Sequence, residues 1–169
     1  VSPLSRVTAE RIVRCPFSVA HEYAEGFFVE AARKGAEVGI RLRDVVPTFG
    51  GRLKQPVQLD TSRRPDEAET GRGHDAFEID WTAGTRFFPD FHGALRLRIA
   101  SVEETLLHLD GEYHPPFGLP GALFDALVGR RIAAATMRDL LRRLGTAMEA
   151  REASFRASAA HPEASGTAV

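Results

Sequence analysis

The sequence predicts an α+β domain: an antiparallel sheet of six or seven strands, followed by a long C-terminal helix. Three observations carry this. Several segments between residues 36 and 113 alternate apolar and polar residues with period two. Apolar residues from Leu123 to Met148 recur at helical spacing. Two neighbouring alternating segments, around Leu97 and Leu109, match each other on both faces. The chain has 169 residues, of which 43% are hydrophobic and 27% charged. That length suits one domain and that mixture excludes wholesale disorder. The expected division is a single domain over residues 1–151 and a flexible tail over 152–169.

Each element has its own signal. Val7–Arg14 reads as a strand with impure alternation, and Pro16-Phe17-Ser18 then punctuates the chain. Ser18 is a candidate cap for a helix from Val19. Tyr23, Phe27 and Ala31 recur every four residues, so that helix is amphipathic, and Gly26 inside it marks a possible break. Val38, Ile40 and Leu42 then alternate with Gly39, Arg41 and Arg43. Leu53, Gln55, Val57 and Leu59 form one face of the next strand, and Pro56 makes it an edge or irregular one. Thr61–Gly73, with its Arg, acidic, Pro and Gly residues, reads as a loop. Phe77, Ile79 and Trp81 alternate with Glu78 and Asp80.

The last two strands predict a register. A hairpin turning near Val102–Glu104 sets Leu97 opposite Leu109 and Ile99 opposite Leu107 on one face. It sets Arg96 opposite Asp110 and Arg98 opposite His108 on the other. After Tyr113, His114-Pro115-Pro116-Phe117-Gly118-Leu119-Pro120-Gly121 ends the sheet. The closing helix runs to about Arg151, with Gly129 its expected break. Its stripe is Leu123, Leu127, Ala134, Met137, Leu141, Leu144 and Met148, and Arg138, Arg142 and Glu149 lie away from it.

Charge and motifs exclude more than they assign. The net charge of −1 gives no general attraction to nucleic acid, although 20 of the 22 basic residues are Arg. Five of these, Arg130, Arg131, Arg138, Arg142 and Arg143, spread around the last helix and read as a solvated surface. No apolar run approaches the roughly 18 residues that span a bilayer, and no signal peptide opens the chain, so a cytoplasmic location is expected. The one cysteine, Cys15, excludes an internal disulfide and a Cys-based zinc framework. Its expected role is a buried thiol.

The six histidines invite a metal reading. The predicted register sets His92 opposite His114 with His108 on the same face, but no His-x-x-x-His spacing occurs and Arg96, Arg98 and Asp110 share that face. A solvated outer face is the better reading, and no metal or other cofactor is expected. There is no Gly-x-Ser-x-Gly elbow, and the glycines around Gly50 and Gly71 lack a phosphate-loop spacing.

The segment Leu107–Leu144, "LHLDGEYHPPFGLPGALFDALVGRRIAAATMRDLLRRL", carries a family resemblance. A strand ends in Gly-x-Tyr, a Pro-Pro-x-Gly turn follows, and an Asp-bearing helix leads into an Ala-rich one. Cys15-Pro16-Phe17-Ser18 adds a strand-to-helix step. Over about residues 5–150 the chain resembles the START-like or SRPBCC superfamily, also called the polyketide cyclase/dehydrase and lipid-transport superfamily. The resemblance implies the helix-grip fold: a curved antiparallel sheet around the C-terminal helix, with an internal cavity. It transfers no catalytic residue.

The implied ligand is a small hydrophobic or aromatic molecule, lipid- or polyketide-like. The candidate lining is Phe77, Trp81, Phe91, Leu95, Leu97, Leu109, Tyr113 and Phe117, with Ala134, Met137 and Leu141 from the helix. Phe77 reads as core, whereas Trp81 and Tyr113 suit a cavity wall or a core equally. The Phe87–Phe91 segment reads as a cavity lip or as packed core. Asp44 and Asp75 share parity with apolar faces at strand ends, where solvation is the simpler expectation. With Tyr113 and nearby histidines they are the candidates for acid–base chemistry. Three readings stay open: a binding protein, a cyclase or dehydratase of the same fold, and an interaction module with a vestigial cavity. Neither stable membrane insertion nor nucleic acid is expected, and the oligomeric state is open.

Overall fold

The computed structural model describes residues 5–41, 50–64, 74–82, 90–114 and 122–160. The elements are β1 (Ser5–Val13), α1 (Phe17–Lys34), β2 (Ala36–Arg41), β3 (Arg52–Arg64), β4 (His74–Thr82), β5 (Asp90–Ile99), β6 (Thr105–His114) and α2 (Ala122–Ala160). The strands form one antiparallel sheet in the order β1-β6-β5-β4-β3-β2. The chain adopts the predicted α+β class, and among the described residues the sheet has six strands, the lower of the predicted six or seven.

The buried inner face of β4, β5 and β6 is Phe77, Ile79 and Trp81, then Phe91, Leu95 and Leu97, then Leu107, Leu109 and Tyr113, whereas Ile99, expected on that face, is exposed at the end of β5. Helix α2 packs chiefly against β1 and β2, the two ends of the sheet order, and meets the central strands far less. A flat six-stranded sheet would hold those edges about 24 Å apart at ~4.8 Å per step. A helix roughly 10 Å wide touches both, while sparing the middle, only because the sheet curls around it. At Gly145 the approach to β1 is so close that a Cβ would lie 2.6 Å from the Val13 Cγ1 atom.

Several local expectations are corrected. Helix α1 begins at Phe17 rather than Val19, and the amides of Val19 and Ala20 donate to the Pro16 carbonyl, each at 3.1 Å. It does not break at Gly26. Its buried face is Ala20, Ala24, Phe28 and Ala31, while Tyr23 and Phe27 are half-buried. Packing of Ala24 and Phe28 on either side outweighs the ~1 kcal/mol intrinsic cost of the glycine. Gly35, at φ 79°, ends the helix in the left-handed region that favours glycine. Strand β3 continues through Arg64, so the loop read from Thr61 starts later. Pro56 lies in the half of β3 that pairs with β2, opposite Glu37, away from the Gln58–Arg64 half that pairs with β4.

The β5–β6 register is displaced by two residues from the predicted one. Leu95 opposes Leu109, Leu97 opposes Leu107, Arg96 opposes His108 and His92 opposes Glu112. Ala100–Glu104 form the turn, closed by Ala100 and Ser101 amides donating to the Glu104 carbonyl, each at 3.0 Å. A shift of two keeps every side chain on its face, so alternation alone does not separate the registers. Helix α2 is continuous through the buried Gly129 and runs beyond Arg151 to Ala160. The nine residues 152–160 are therefore helical rather than tail. Their alanines favour helix, and Arg156 Nε donates to Glu152 Oε1 at 2.6 Å across one turn. The stripe centres on Ala133, Met137, Leu141, Leu144 and Met148, all buried, whereas Ala134 is half-buried.

Candidate functional site

The inner sheet face is a lattice of rows running across the strands. One row is Trp81, Phe91 and Tyr113, set opposite one another on β4, β5 and β6. Next comes Ile79, Gly93 and Gly111, then Phe77, Leu95 and Leu109, and finally Asp75, Leu97 and Leu107. The sequence placed the aromatic and leucine members on one face, and the registers bring them together.

The two glycines leave a trough in that face, and the Phe91 ring folds into it. A Cβ on Gly93 would sit 2.5 Å from Phe91 Cζ, and one on Gly111 2.6 Å from the same atom. Turned this way, Phe91 stacks on Trp81 with ring centroids 4.3 Å apart and planes at 19°. The pair forms a flat aromatic plate backed by strand backbone.

A second aromatic group comes from α1. Phe17, His21, Ala24 and Phe28 recur at three- and four-residue spacing and share one side of the helix. The His21 ring lies 5.8 Å from that of Phe17 and 6.1 Å from that of Phe77, and Phe28 lies 5.2 Å from Phe77. Into this setting β4 delivers Asp75, whose side chain is 6% exposed and whose Oδ2 lies 2.5 Å from His21 Nε2. The Ala76 amide donates to Asp75 Oδ1 at 2.8 Å. Asp75 is thus not a solvated strand end. It is a buried carboxylate holding an imidazole among phenyl rings, a pairing that can orient the ring and carry a proton. The Tyr23–Phe27–Ala31 periodicity points to a different face of α1 and does not single out His21. The signal was present in the Phe17–His21–Ala24–Phe28 spacing.

On α2, Met137 and Leu141 are fully buried in the same apolar core as Phe77, Trp81 and Tyr113. Phe117, Asp44, and Phe87 and Phe88 of the proposed lip lie outside the described residues. His92 is on the outer face bonded to Asp80, and His108 bonds Glu10 there. Among the described residues no cluster has the composition of a metal site. No helix among them is long and apolar enough to cross a membrane.

No family model matches the chain, and no curated protein matches it. Solved structures do. The Zhui aromatase/cyclase from Streptomyces sp. R1128 aligns over 98% of this chain and 100% of that chain, at 15% identity and TM-score 0.50. Norcoclaurine synthase from Thalictrum flavum aligns over 89% and 98%, at 10% identity and TM-score 0.48. A START superfamily protein from Mycobacterium smegmatis aligns over 90% and 99%, at 14% identity and TM-score 0.42. At such identities the likeness concerns the fold. With a curled six-stranded antiparallel sheet closed by one long C-terminal helix, this chain has the START-like helix-grip fold.

Proposed function

We propose that the protein binds a small hydrophobic or aromatic molecule between the inner sheet face and the C-terminal helix. The observation that carries this reading is the Trp81–Phe91 plate over the Gly93–Gly111 trough, in a row with Tyr113. The two facing glycines leave the room in which the Phe91 ring lies flat against Trp81. A flat aromatic plate is the surface on which a planar ligand stacks, worth about 0.5–1.5 kcal/mol beyond area burial. The shared fold with an aromatase/cyclase supports the same reading.

The His21–Asp75 dyad favours a second reading, acid–base chemistry on the bound molecule. One probe, 1,3-dihydroxynaphthalene, serves both. Binding should change Trp81 fluorescence saturably, and Ala133→Phe, which enlarges the helix wall, should weaken the response while far-UV circular dichroism is unchanged. Absence of any saturable response by the folded protein overturns the binding reading. The catalytic reading further expects accelerated deuterium exchange at the ring carbons between and beside the hydroxyls, lost in His21→Gln with binding retained. Binding without acceleration leaves a carrier.

A further inference from the structure

On the far side of α2 from this core, Asp139 is buried, with its side chain 3% exposed, and three guanidinium groups converge on it. Arg52 Nη2, from the start of β3, lies 2.8 Å from Asp139 Oδ2. Arg142 Nη2 lies 2.5 Å from Oδ1, and Arg143 Nε lies 3.1 Å from Oδ2. Arg143 Nη2 also donates to the Glu37 carbonyl on β2 at 2.5 Å. Glu37 also pairs with Lys54, 3.0 Å apart, and that pair adds no net charge.

Among the described residues one carboxylate therefore faces three cations, a local charge of +2. Arg52 fastens β3 to Asp139 and Arg143 ties α2 to the Glu37 carbonyl of β2, whereas Arg142 bonds Asp139 within the helix and is surplus to a clamp. The three Arg side chains are 32–35% exposed, covered enough to weaken hydration and open enough for a solute to reach. Each guanidinium carries five N–H donors in a planar fork that matches oxyanion geometry, and the contacts with described residues use few of them. Asp139 holds the forks in place while its single charge leaves the attraction for an anion unspent.

We propose that Arg52, Arg142 and Arg143, set by Asp139, form a binding site for an oxyanion, a phosphate or carboxylate group. The anion is either a free small ion or the head group of an amphiphile. The test observes arginine Nε–Hε signals by heteronuclear NMR during titration with inorganic phosphate and, separately, with dodecyl phosphate below its micelle concentration. Saturable shifts at Arg52, Arg142 and Arg143, with the exposed Arg138 as a silent control, support the site. Response to both compounds identifies a free-anion site, and response to dodecyl phosphate alone identifies a head-group site. In Arg142→Gln, affinity should fall about tenfold with the fold intact. Shifts spread equally over Arg138, or none at millimolar concentrations of either compound, overturn the proposal. Neither result bears on naphthalene binding at Trp81, which is a separate measurement.

Discussion

At the residue scale, burial decides chemistry. Cys15 is fully buried in the bend between β1 and α1, and its carbonyl accepts a hydrogen bond from the Thr105 hydroxyl at 2.9 Å. Burial first, then the charges of Glu152 and Glu149, push its thiol up to about 11. In the unfolded chain the thiol ionises near the ordinary ~8.5. The folded state therefore keeps a proton that the unfolded state loses, and this contribution is complete below about pH 8.5. It declines as pH rises from there toward 11. Iodoacetamide at pH 8 should leave the native protein unmodified and alkylate it in urea. Cys15→Ala should flatten the fall in urea midpoint between pH 8.5 and 11; an unchanged slope would place its cause elsewhere. The buried thiol was legible, because a lone cysteine beside Pro16 after a strand has few other roles. The Asp75 pairing was not, since its partner lies 54 residues away on α1 and strand parity says nothing of what covers a strand end.

At the element scale, periodicity delivered faces and left registers and ends to tertiary contacts. The β5–β6 hairpin shows the distinction. Leu97 and Leu109 share the inner face as predicted, yet each pairs two residues away from the expected partner, because the turn centres on Val102 and draws Thr105 into the strand. Arg96 still reaches Asp110, diagonally. On α2 the stripe was right at Met137, Leu141, Leu144 and Met148 and one position off at Ala134, a small residue between two other alanines that gives a hydrophobic pattern no contrast. Leu141→Ala should lower stability by about 2–5 kcal/mol, the range for a buried truncation. Arg138→Ala, on the exposed side, should stay within about 0.5 kcal/mol. Urea midpoints at unchanged m-value decide it, and equal midpoints would mean that the buried face of α2 is elsewhere. Arg142, which the sequence placed in solvent, makes a poor neutral control because it holds Asp139.

At the scale of the whole molecule, the curl of the sheet is the property from which the rest follows. It lets one helix touch both edge strands, and it turns the inner face into a concave wall. Sequence alternation states that a sheet has two faces but not how far it bends. Strands β5 and β6 approach each other closely where Gly93 pairs with Gly111. A Cβ on Gly111 would lie 2.4 Å from the His92 carbonyl oxygen and 2.6 Å from the Gly93 Cα, contacts with backbone that no rotamer change relieves. Gly111→Val should therefore cost about 3 kcal/mol, at or above the upper end for overpacking. It should also lift Phe91 out of the trough and off Trp81. Near-ultraviolet circular dichroism reports that change, because the Trp81 signal depends on its stacked neighbour. Gly26→Ala supplies the contrast. Its added methyl meets nothing within 4 Å inside a continuous helix, so it should raise stability by about 0.5–1 kcal/mol and leave the Trp81 signal alone. The two glycines thus separate by sign: one interrupts nothing but helix propensity, the other is where two strands come too close for a side chain. If Gly111→Val folds with wild-type stability and an unchanged tryptophan signal, the trough is not what seats Phe91. The plate on which ligand binding is proposed would then need another origin.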